Sequence, residues 1–360
     1  MPSTRITTVE QLHRYLNAAL QLEHATIPPY LTALYSIHPG TNSDAFHVLR
    51  VVVVEEMLHL TLAANVLNAV GGTPDLTAPD FVPSYPAYLP DGEQDFEVNL
   101  QGFCEESIET FLKIERPREA PSEEARLIHR RHRGRLVLAA APGDSGMQFF
   151  SIGEFYREIE RGLRHLEHEK AKVGEALFVG DPARQVTNDY YYSGGGEVVP
   201  VTDLKSACAA LRLIAEQGEG VGGRIYDIER ELAHYYRFEQ LRLGRYYQEG
   251  DEPSEPTGPP LAVDWQAVYP LKKNARLDDF PDGSELHAAA LAFNAAYAEF
   301  LDLLTRSFGG QPELLIDAVV DMFRLREQMT QLIHNPIPGS DGVNAAPTFE
   351  MAAVAGAVST

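Results

Sequence analysis

The sequence predicts an all-α protein whose core is an antiparallel four-helix bundle. Long segments carry apolar residues at three- and four-residue steps, which is the period of a helix with one buried face. Two Glu-x-x-His motifs lie within such segments, far apart in the chain. Stretches rich in proline and tyrosine separate the segments, so we expect long insertions between the helices.

Four segments are expected to form the bundle, at residues 9–36, 44–70, 152–176 and 224–246. Thr7 and Glu10 have the spacing of a capping box at the start of the first helix. Pro28 and Pro29 are expected to kink that helix. Gly71 and Gly72 terminate the second helix.

The remaining segments are expected to surround the bundle. Short helices are predicted at 107–113, 122–135 and 204–216, and residues 73–101 and 250–260 lack helical periodicity. Two more amphipathic helices, at 284–308 and 312–333, are expected to pack against the bundle. The sequence therefore predicts one domain over residues 1–360, with Pro/Tyr-rich insertions and additional C-terminal helices.

Composition excludes several functional classes. The chain has 360 residues, is 44% hydrophobic and carries a net charge of −22. That acidity disfavours binding to nucleic acid and to anionic membranes. No segment approaches the roughly 18–20 apolar residues of a membrane helix, and the N-terminus has no cleavable signal pattern, so a cytoplasmic protein is expected. Cys104 and Cys208 lie far apart, so no zinc or redox cysteine motif is present.

Carboxylates on otherwise apolar helix faces indicate a buried metal site. Glu23 lies at the centre of the apolar stripe of the first helix. Glu56 and His59 share the buried face of the second helix, because residues three apart are neighbours on a helix surface. A buried charge is costly unless it is paired or bound to a metal. These three residues are therefore candidate metal ligands.

The second half of the chain supplies a similar set. Glu231 and His234 repeat the Glu-x-x-His spacing on the fourth predicted helix, and either Glu154 or Glu158 would add a carboxylate from the third. Such a set is typical of dinuclear carboxylate sites in four-helix bundles. Glu56 and Glu231 are expected to bridge two divalent ions. Oxygen and nitrogen ligands of this kind accept both iron and manganese.

Several runs of sequence resemble bacterial ferritin-like proteins, in particular the ferritin-like domain of the iminophenyl-pyruvate dimer synthases (chromopyrrolate synthases). The run LEHATIPPY at residues 22–30 resembles the first-helix signature, and residues 55–59, 71–74, 151–156 and 345–350 fit the same pattern. The resemblance covers most of residues 1–350. It implies a metal-bearing bundle of a kind often found in bacterial natural-product pathways. The ligands it implies are Glu23, Glu56, His59, Glu154, Glu231 and His234. Those synthases are much longer than this chain, so their coupling reaction is not carried over.

The expected function is that of an oxidoreductase with a dinuclear centre, iron first and manganese second. It would use O2 or peroxide on a small organic substrate, and a homodimer is expected. The loops at 81–103 and 188–197 are candidate pocket walls. One alternative is a ferroxidase or a manganese-catalase-like protein without an organic substrate. Another is a metal-free structural or partner-binding bundle.

Overall fold

The computed structural model describes residues 5–90, 94–117, 149, 151–191, 194–220, 224–227 and 229–351. Within these residues the chain is helical, and its β-pairing is limited to isolated bridges. The all-α class predicted from helical periodicity is therefore confirmed. The helix predicted at 122–135 lies outside the described residues.

Four helices form the central bundle, and two helical pairs flank it. The helices, in chain order, are α1 Val9–Ser36, α2 Ser43–Ala69, α3 Glu105–Ile114, α4 Ile152–Lys172, α5 Leu204–Glu219, α6 His234–Leu243, α7 Glu285–Phe308 and α8 Leu314–Ile333. Helices α1 and α2 form a hairpin, α4 packs along α5, and these pairs meet through α1 with α4 and α2 with α5. Helix α3 packs against α6, and the α7–α8 hairpin contacts α1 and α2.

Helix α1 begins at the predicted residue with a capping box shifted by one position. Thr8 is the N-cap, and its side chain and that of Gln11 cap each other's backbone. The helix continues through Pro28 and Pro29. Because Pro29 has no N–H, the carbonyl of Ala25 lacks its helical donor. The hydroxyl of Tyr85 donates to that oxygen at 3.3 Å, which fastens the loop after α2 to α1.

The helix predicted at 224–246 is much shorter in the structure and begins at His234. Upstream of it, the Asp227 carboxylate accepts the backbone N–H groups of Glu229 and Glu231, each at 2.9 Å. Arg230 adopts the left-handed region, with φ at 65°. An aspartate that binds nearby N–H groups competes with helix formation. Helix α5 takes the fourth place in the bundle instead.

A continuous apolar cluster joins the bundle to the flanking α7–α8 hairpin. Buried polar groups of α1 and α2 lie within this core. None of the helices that the structure describes has the length and apolar character needed to cross a membrane. The extent of the single domain over residues 1–360 stays a prediction.

Candidate metal centre

Helices α1 and α2 bring three potential ligands together in the core. Glu23, Glu56 and His59 are 2%, 3% and 2% exposed. The His59 Nδ1 atom lies 3.3 Å from Glu23 Oε2 and 3.7 Å from Glu56 Oε2. We call Glu23, His59 and the Oε2 side of Glu56 the first half-site. Its three residues each offer a ligand atom, and these atoms lie within 4.8 Å of one another.

A second half-site forms where α3 ends and α6 begins. Glu115 is the C-cap of α3, and His234 is the first residue of α6. The His234 Nδ1 atom lies 2.9 Å from Glu56 Oε1 and 3.5 Å from Glu115 Oε2. We call Glu115, His234 and the Oε1 side of Glu56 the second half-site. Its ligand atoms also lie within 4.8 Å of one another, and the imidazole rings of the two half-sites are 5.4 Å apart.

On the side of the ring that faces away from its half-site, each histidine contacts one hydrogen-bond acceptor. The Nε2 atom of His59 lies 2.8 Å from Gln217 Oε1, and that of His234 lies 2.8 Å from Glu55 Oε2. Since both partners accept, Nε2 carries the proton and donates it. The Nδ1 atoms therefore face the carboxylates, which is the orientation that metal-binding histidines require.

Two buried tyrosines hold the outer carboxylates. The Tyr156 hydroxyl donates to Glu23 Oε1, and the Tyr30 hydroxyl donates to Glu115 Oε1, each at 2.5 Å. Burial and the adjacent carboxylates raise the pKa of both tyrosines well above the usual value. Both phenols therefore stay protonated and act as donors. The second oxygen of each carboxylate remains directed at its histidine.

The carboxylates and imidazoles of the site shift one another's pKa. Burial raises the pKa of Glu23 to about 7, and burial with the charge of Glu56 raises the pKa of Glu115. Burial opposes ionisation of Glu56 too, but the adjacent imidazoles of His234 and His59 hold its pKa well below the usual value. Burial would lower the pKa of His59, yet Glu23 and Glu56 raise it to about 10. A metal ion bound here would displace the protons that these groups hold in its absence.

The residues present fit a metal ion. The two half-sites combine carboxylate oxygens with imidazole nitrogens, which is the donor set that iron and manganese accept. The buried Nδ1 atom of His234 lies 2.9 Å from Glu56 Oε1, yet among the described residues it forms no well-aligned hydrogen bond. A buried polar atom without a partner is costly. A cation bound between His234 and its neighbouring carboxylates would remove that cost.

The structure brings together four of the predicted site residues, namely Glu23, Glu56, His59 and His234. Glu231 lies elsewhere, because the helix that should carry it does not form upstream of His234. Its side chain is 65% exposed and lies 3.4 Å from the guanidinium of Arg237. The expected convergence of Glu231 and His234 on one metal is therefore absent from this structure.

Neither third-helix candidate joins a half-site among the described residues. Glu158 accepts the backbone N–H of Ile6 at 2.7 Å and forms an ion pair with Arg161, so it fastens the N-terminal segment to α4. Glu154 is half-buried in the first turn of α4. Both lie on one flank of the helix, whereas Tyr156, two residues from each, faces the centre and contacts Glu23.

Glu115 is the ligand candidate that the sequence analysis missed. A signal was available, because Ile108, Phe111 and Glu115 continue one helical face at steps of three and then four residues. All three are buried. The predicted helix ended at residue 113, which placed Glu115 in a loop and hid the pattern. Nothing local marks Tyr30 and Tyr156 as partners of carboxylates.

A cavity of about 660 Å³ lies near α1, and its wall is formed mainly by the loop after α2, by helix α7 and by residues 348–351. Its wall includes Phe81, Tyr85, Arg276, Ala298 and Phe349, among other mainly apolar residues. Phe81 packs on the ring of His24 at 4.9 Å between centroids, and Tyr85 bonds the Ala25 carbonyl. The candidate wall at 81–103 thus contributes to this cavity, while the described residues of the candidate wall at 188–197 do not line it.

Comparisons with known proteins agree with this architecture. The chain is 27% identical to dichlorochromopyrrolate synthase of Lentzea aerocolonigenes over 322 residues, which is 83% of this chain but 29% of that relative. A crystal structure of a ferritin-like protein from Caulobacter vibrioides superposes with a TM-score of 0.61 at 23% identity. That alignment covers 95% of this chain and 99% of the other. The structural likeness supports the fold.

A family model described as ferritin-like matches residues 16–243. This range spans more than half of the chain and contains all five residues of the two half-sites. The resemblance inferred from the sequence motifs is therefore confirmed. The chain belongs to the ferritin-like family.

Proposed function

We propose that this protein is an oxidoreductase that holds two divalent metal ions, iron first and manganese second, and uses O2 or peroxide on a small organic molecule. The observation that carries the proposal is the position of Glu56. Its Oε1 atom faces His234, while its Oε2 atom faces His59. One buried carboxylate can therefore serve both half-sites, with Glu23 and Glu115 as the outer carboxylates.

Bound iron or manganese in such a site supplies redox and Lewis-acid chemistry toward O2 or peroxide. The chain's own residues set the conditions for that chemistry. Tyr156 and Tyr30 fix the outer carboxylates, and Gln217 and Glu55 fix the imidazoles. All five ligand candidates are at most 3% exposed, so bulk water is kept away from them.

We propose the cavity beside α1 as the site of the organic substrate. It is mainly apolar, and two of its wall residues, Phe81 and Tyr85, contact α1 at the two positions that follow Glu23. A biosynthetic substrate is supported by the likeness to dichlorochromopyrrolate synthase. The chain spans less than a third of the length of that relative, so the substrate class and reaction of the relative are not assigned to it.

Metal analysis tests the proposal directly. Protein loaded anaerobically with Fe(II) or Mn(II) and desalted should retain about two ions per chain, the number that a dinuclear carboxylate centre holds. Glu56→Ala should retain about one ion or less, because it removes the carboxylate that both half-sites use. Wild-type protein that retains no metal would contradict the proposal.

Oxygen consumption then distinguishes the reaction classes. An oxidoreductase with an organic substrate should consume O2 or peroxide in excess of its bound metal only when that substrate and any reductant are supplied. A ferroxidase would instead turn over added Fe(II) with O2 alone. Sustained Fe(II) turnover without an organic molecule would favour the ferroxidase alternative.

A further inference from the structure

We propose that the two half-sites bind their ions with unequal affinity and that the second half-site, with His234, fills first. The inference rests on the proposed dinuclear centre and goes beyond it by assigning roles to Glu55 and Gln217. These residues do not belong to either half-site. Each accepts a hydrogen bond from the outer nitrogen of one histidine.

The ligands themselves are closely matched between the half-sites. Each has one imidazole and one outer carboxylate, and each outer carboxylate accepts a 2.5 Å hydrogen bond from a tyrosine. Each also uses one oxygen of Glu56. Differences in affinity must therefore come from groups outside the ligand set.

The outer partners of the two histidines differ by a full charge. His234 donates to the carboxylate of Glu55, which is 6% exposed, whereas His59 donates to the neutral amide of Gln217, which is 3% exposed. A carboxylate partner makes the imidazole nitrogen that faces the metal a stronger electron-pair donor, and it adds negative charge near the ion. Arg237 lies 3.7 Å from the other oxygen of Glu55, so it offsets this charge only in part.

The orientation of the Gln217 amide is fixed by the neighbouring loop that contains Gly195. Its Nε2 atom donates to the backbone carbonyl of Gly195 at 2.7 Å. Because a carbonyl can only accept, the amide nitrogen must face Gly195 and the amide oxygen must face His59. A Cβ at Gly195 would lie 2.6 Å from Glu55 Cγ, so the same glycine packs against both positioning residues.

A contact on Glu56 also favours tighter metal binding at the second half-site. The Thr26 hydroxyl donates to the backbone carbonyl of Glu23 at 2.7 Å and shares this proton with Glu56 Oε2, the oxygen that faces the first half-site, at 3.1 Å. A hydrogen bond to that oxygen draws electron density away from the ion it would bind. Of the two Glu56 oxygens, Oε1, which faces His234, is therefore the stronger electron-pair donor to a metal ion. Changing a partner that orients a ligand typically lowers metal affinity by about 10–100-fold. We therefore expect the affinities of the two half-sites to differ by about this factor.

Titration of metal-free protein with Co(II), followed by visible absorption, tests the inference without measuring activity. Wild-type protein should bind in two steps whose affinities differ by about 10–100-fold. Glu115→Gln should remove the tight step, and Glu23→Gln should remove the weak step. These two variants assign each step to its half-site.

The positioning residues are then exchanged. Glu55→Gln should weaken the tight step by about 10–100-fold and bring the two steps together, while Glu55→Asp should restore part of the separation. Gln217→Glu should tighten the weak step, a gain that misfolding does not produce. Far-ultraviolet circular dichroism of each metal-free variant checks that the helices are retained.

Three results would overturn the inference. Two equal steps in the wild type would show that the outer partners do not matter. An unchanged tight step in Glu55→Gln would show that the tight step has another cause. Loss of the weak step in Glu115→Gln would reverse the assignment. Complete absence of Co(II) binding in the wild type would instead contradict the proposed function, and this inference with it.

Discussion

Glu56 has each of its oxygens directed at a different histidine, and Thr26 contacts one of those oxygens. Such a carboxylate is stable in the core because imidazoles and hydrogen-bond donors compensate for its lost hydration. The same reasoning applies to Glu23 and Glu115, each of which has a tyrosine and a histidine as neighbours. Individual side chains therefore give the sharpest tests of the site.

The first prediction separates Glu115 from Glu231. Glu115→Gln should lower retained metal from about two ions per chain to about one, because the second half-site loses its outer carboxylate. Glu231→Gln is the matched control and should leave metal content unchanged, since Glu231 is exposed and paired with Arg237. The measurement is elemental analysis after loading and desalting. A loss of metal in Glu231→Gln alone would restore the assignment expected from the sequence.

The second prediction concerns the tyrosine hydroxyls. Tyr156→Phe should weaken metal binding at the first half-site, and Tyr30→Phe at the second, each by about 10–100-fold, because an outer carboxylate loses the donor that orients it. Co(II) titration measures both effects. Tyr247→Phe is the control, since it removes another buried tyrosine–glutamate hydrogen bond, to Glu239 at 2.6 Å, outside both half-sites. Equal effects of all three variants would indicate a general loss of stability.

At the level of helices, pairing between elements decides which residues can meet. The α1–α2 hairpin supplies the first half-site by itself, whereas the second half-site needs α3 to pack against α6. Helix α4 is fixed to α5 partly by Glu160, which forms ion pairs with Arg164 at 2.5 Å and with Arg212 of α5 at 2.9 Å.

The third prediction tests this α4–α5 contact through its pH dependence. Burial alone would raise the pKa of Glu160, but hydrogen bonds from Arg164 and Arg212 hold it below 4.5. A carboxyl whose pKa is lower in the folded than in the unfolded state stabilises the fold above about pH 4.5, and this contribution is lost as the pH falls through the folded pKa. Glu160→Gln should therefore lower the free energy of unfolding near pH 7 by about 0.5–1 kcal/mol.

Urea denaturation at pH 7 and at pH 3.5 measures this effect. The difference between Glu160→Gln and the wild type should shrink at the lower pH, because the wild-type carboxyl is then partly protonated. Glu169→Gln serves as the control, since the ion pair of Glu169 with Lys172 lies within α4 and the side chain is exposed. A difference that is independent of pH would assign the effect of Glu160 to packing.

At the scale of the whole molecule, an apolar cavity is joined to α1 through two of its wall residues, Phe81 and Tyr85. The cavity is closed by parts of the chain that are distant in sequence, namely the loop after α2, helix α7 and residues 348–351. The Asn294 amide N–H donates to the Thr348 hydroxyl at 2.9 Å, and the hydroxyl donates back to the amide oxygen at 3.1 Å, which fixes this C-terminal segment to α7.

The fourth prediction tests the cavity as a binding site. Ala298→Phe adds a ring to the cavity wall and should abolish binding of a hydrophobic probe, 8-anilinonaphthalene-1-sulfonate, while retained metal stays at about two ions per chain. Ala292→Phe adds the same ring at an exposed position of α7 that does not line the cavity, and it should leave probe binding unchanged. Probe fluorescence and elemental analysis measure the two quantities. Undiminished fluorescence with Ala298→Phe would exclude the cavity as the probe site.

The sequence by itself determined the helical class, the bounds of α1 and the convergence of Glu23, Glu56 and His59. These follow from local periodicity, because a helix places residues three and four apart on one face and a buried face must be apolar or compensated. The short connection between α1 and α2 then forces their faces together.

Only the tertiary structure decided the second half-site. Glu115 and His234 lie at helix ends, and long-range packing of α3 against α6 brings them to Glu56. The side chain of Asp227 ends the pattern that would have made Glu231 helical. Tyr156 occupies the place expected for a third-helix carboxylate. Periodicity identifies the face of a helix that is buried, whereas the contacts made on that face depend on segments far away in the chain.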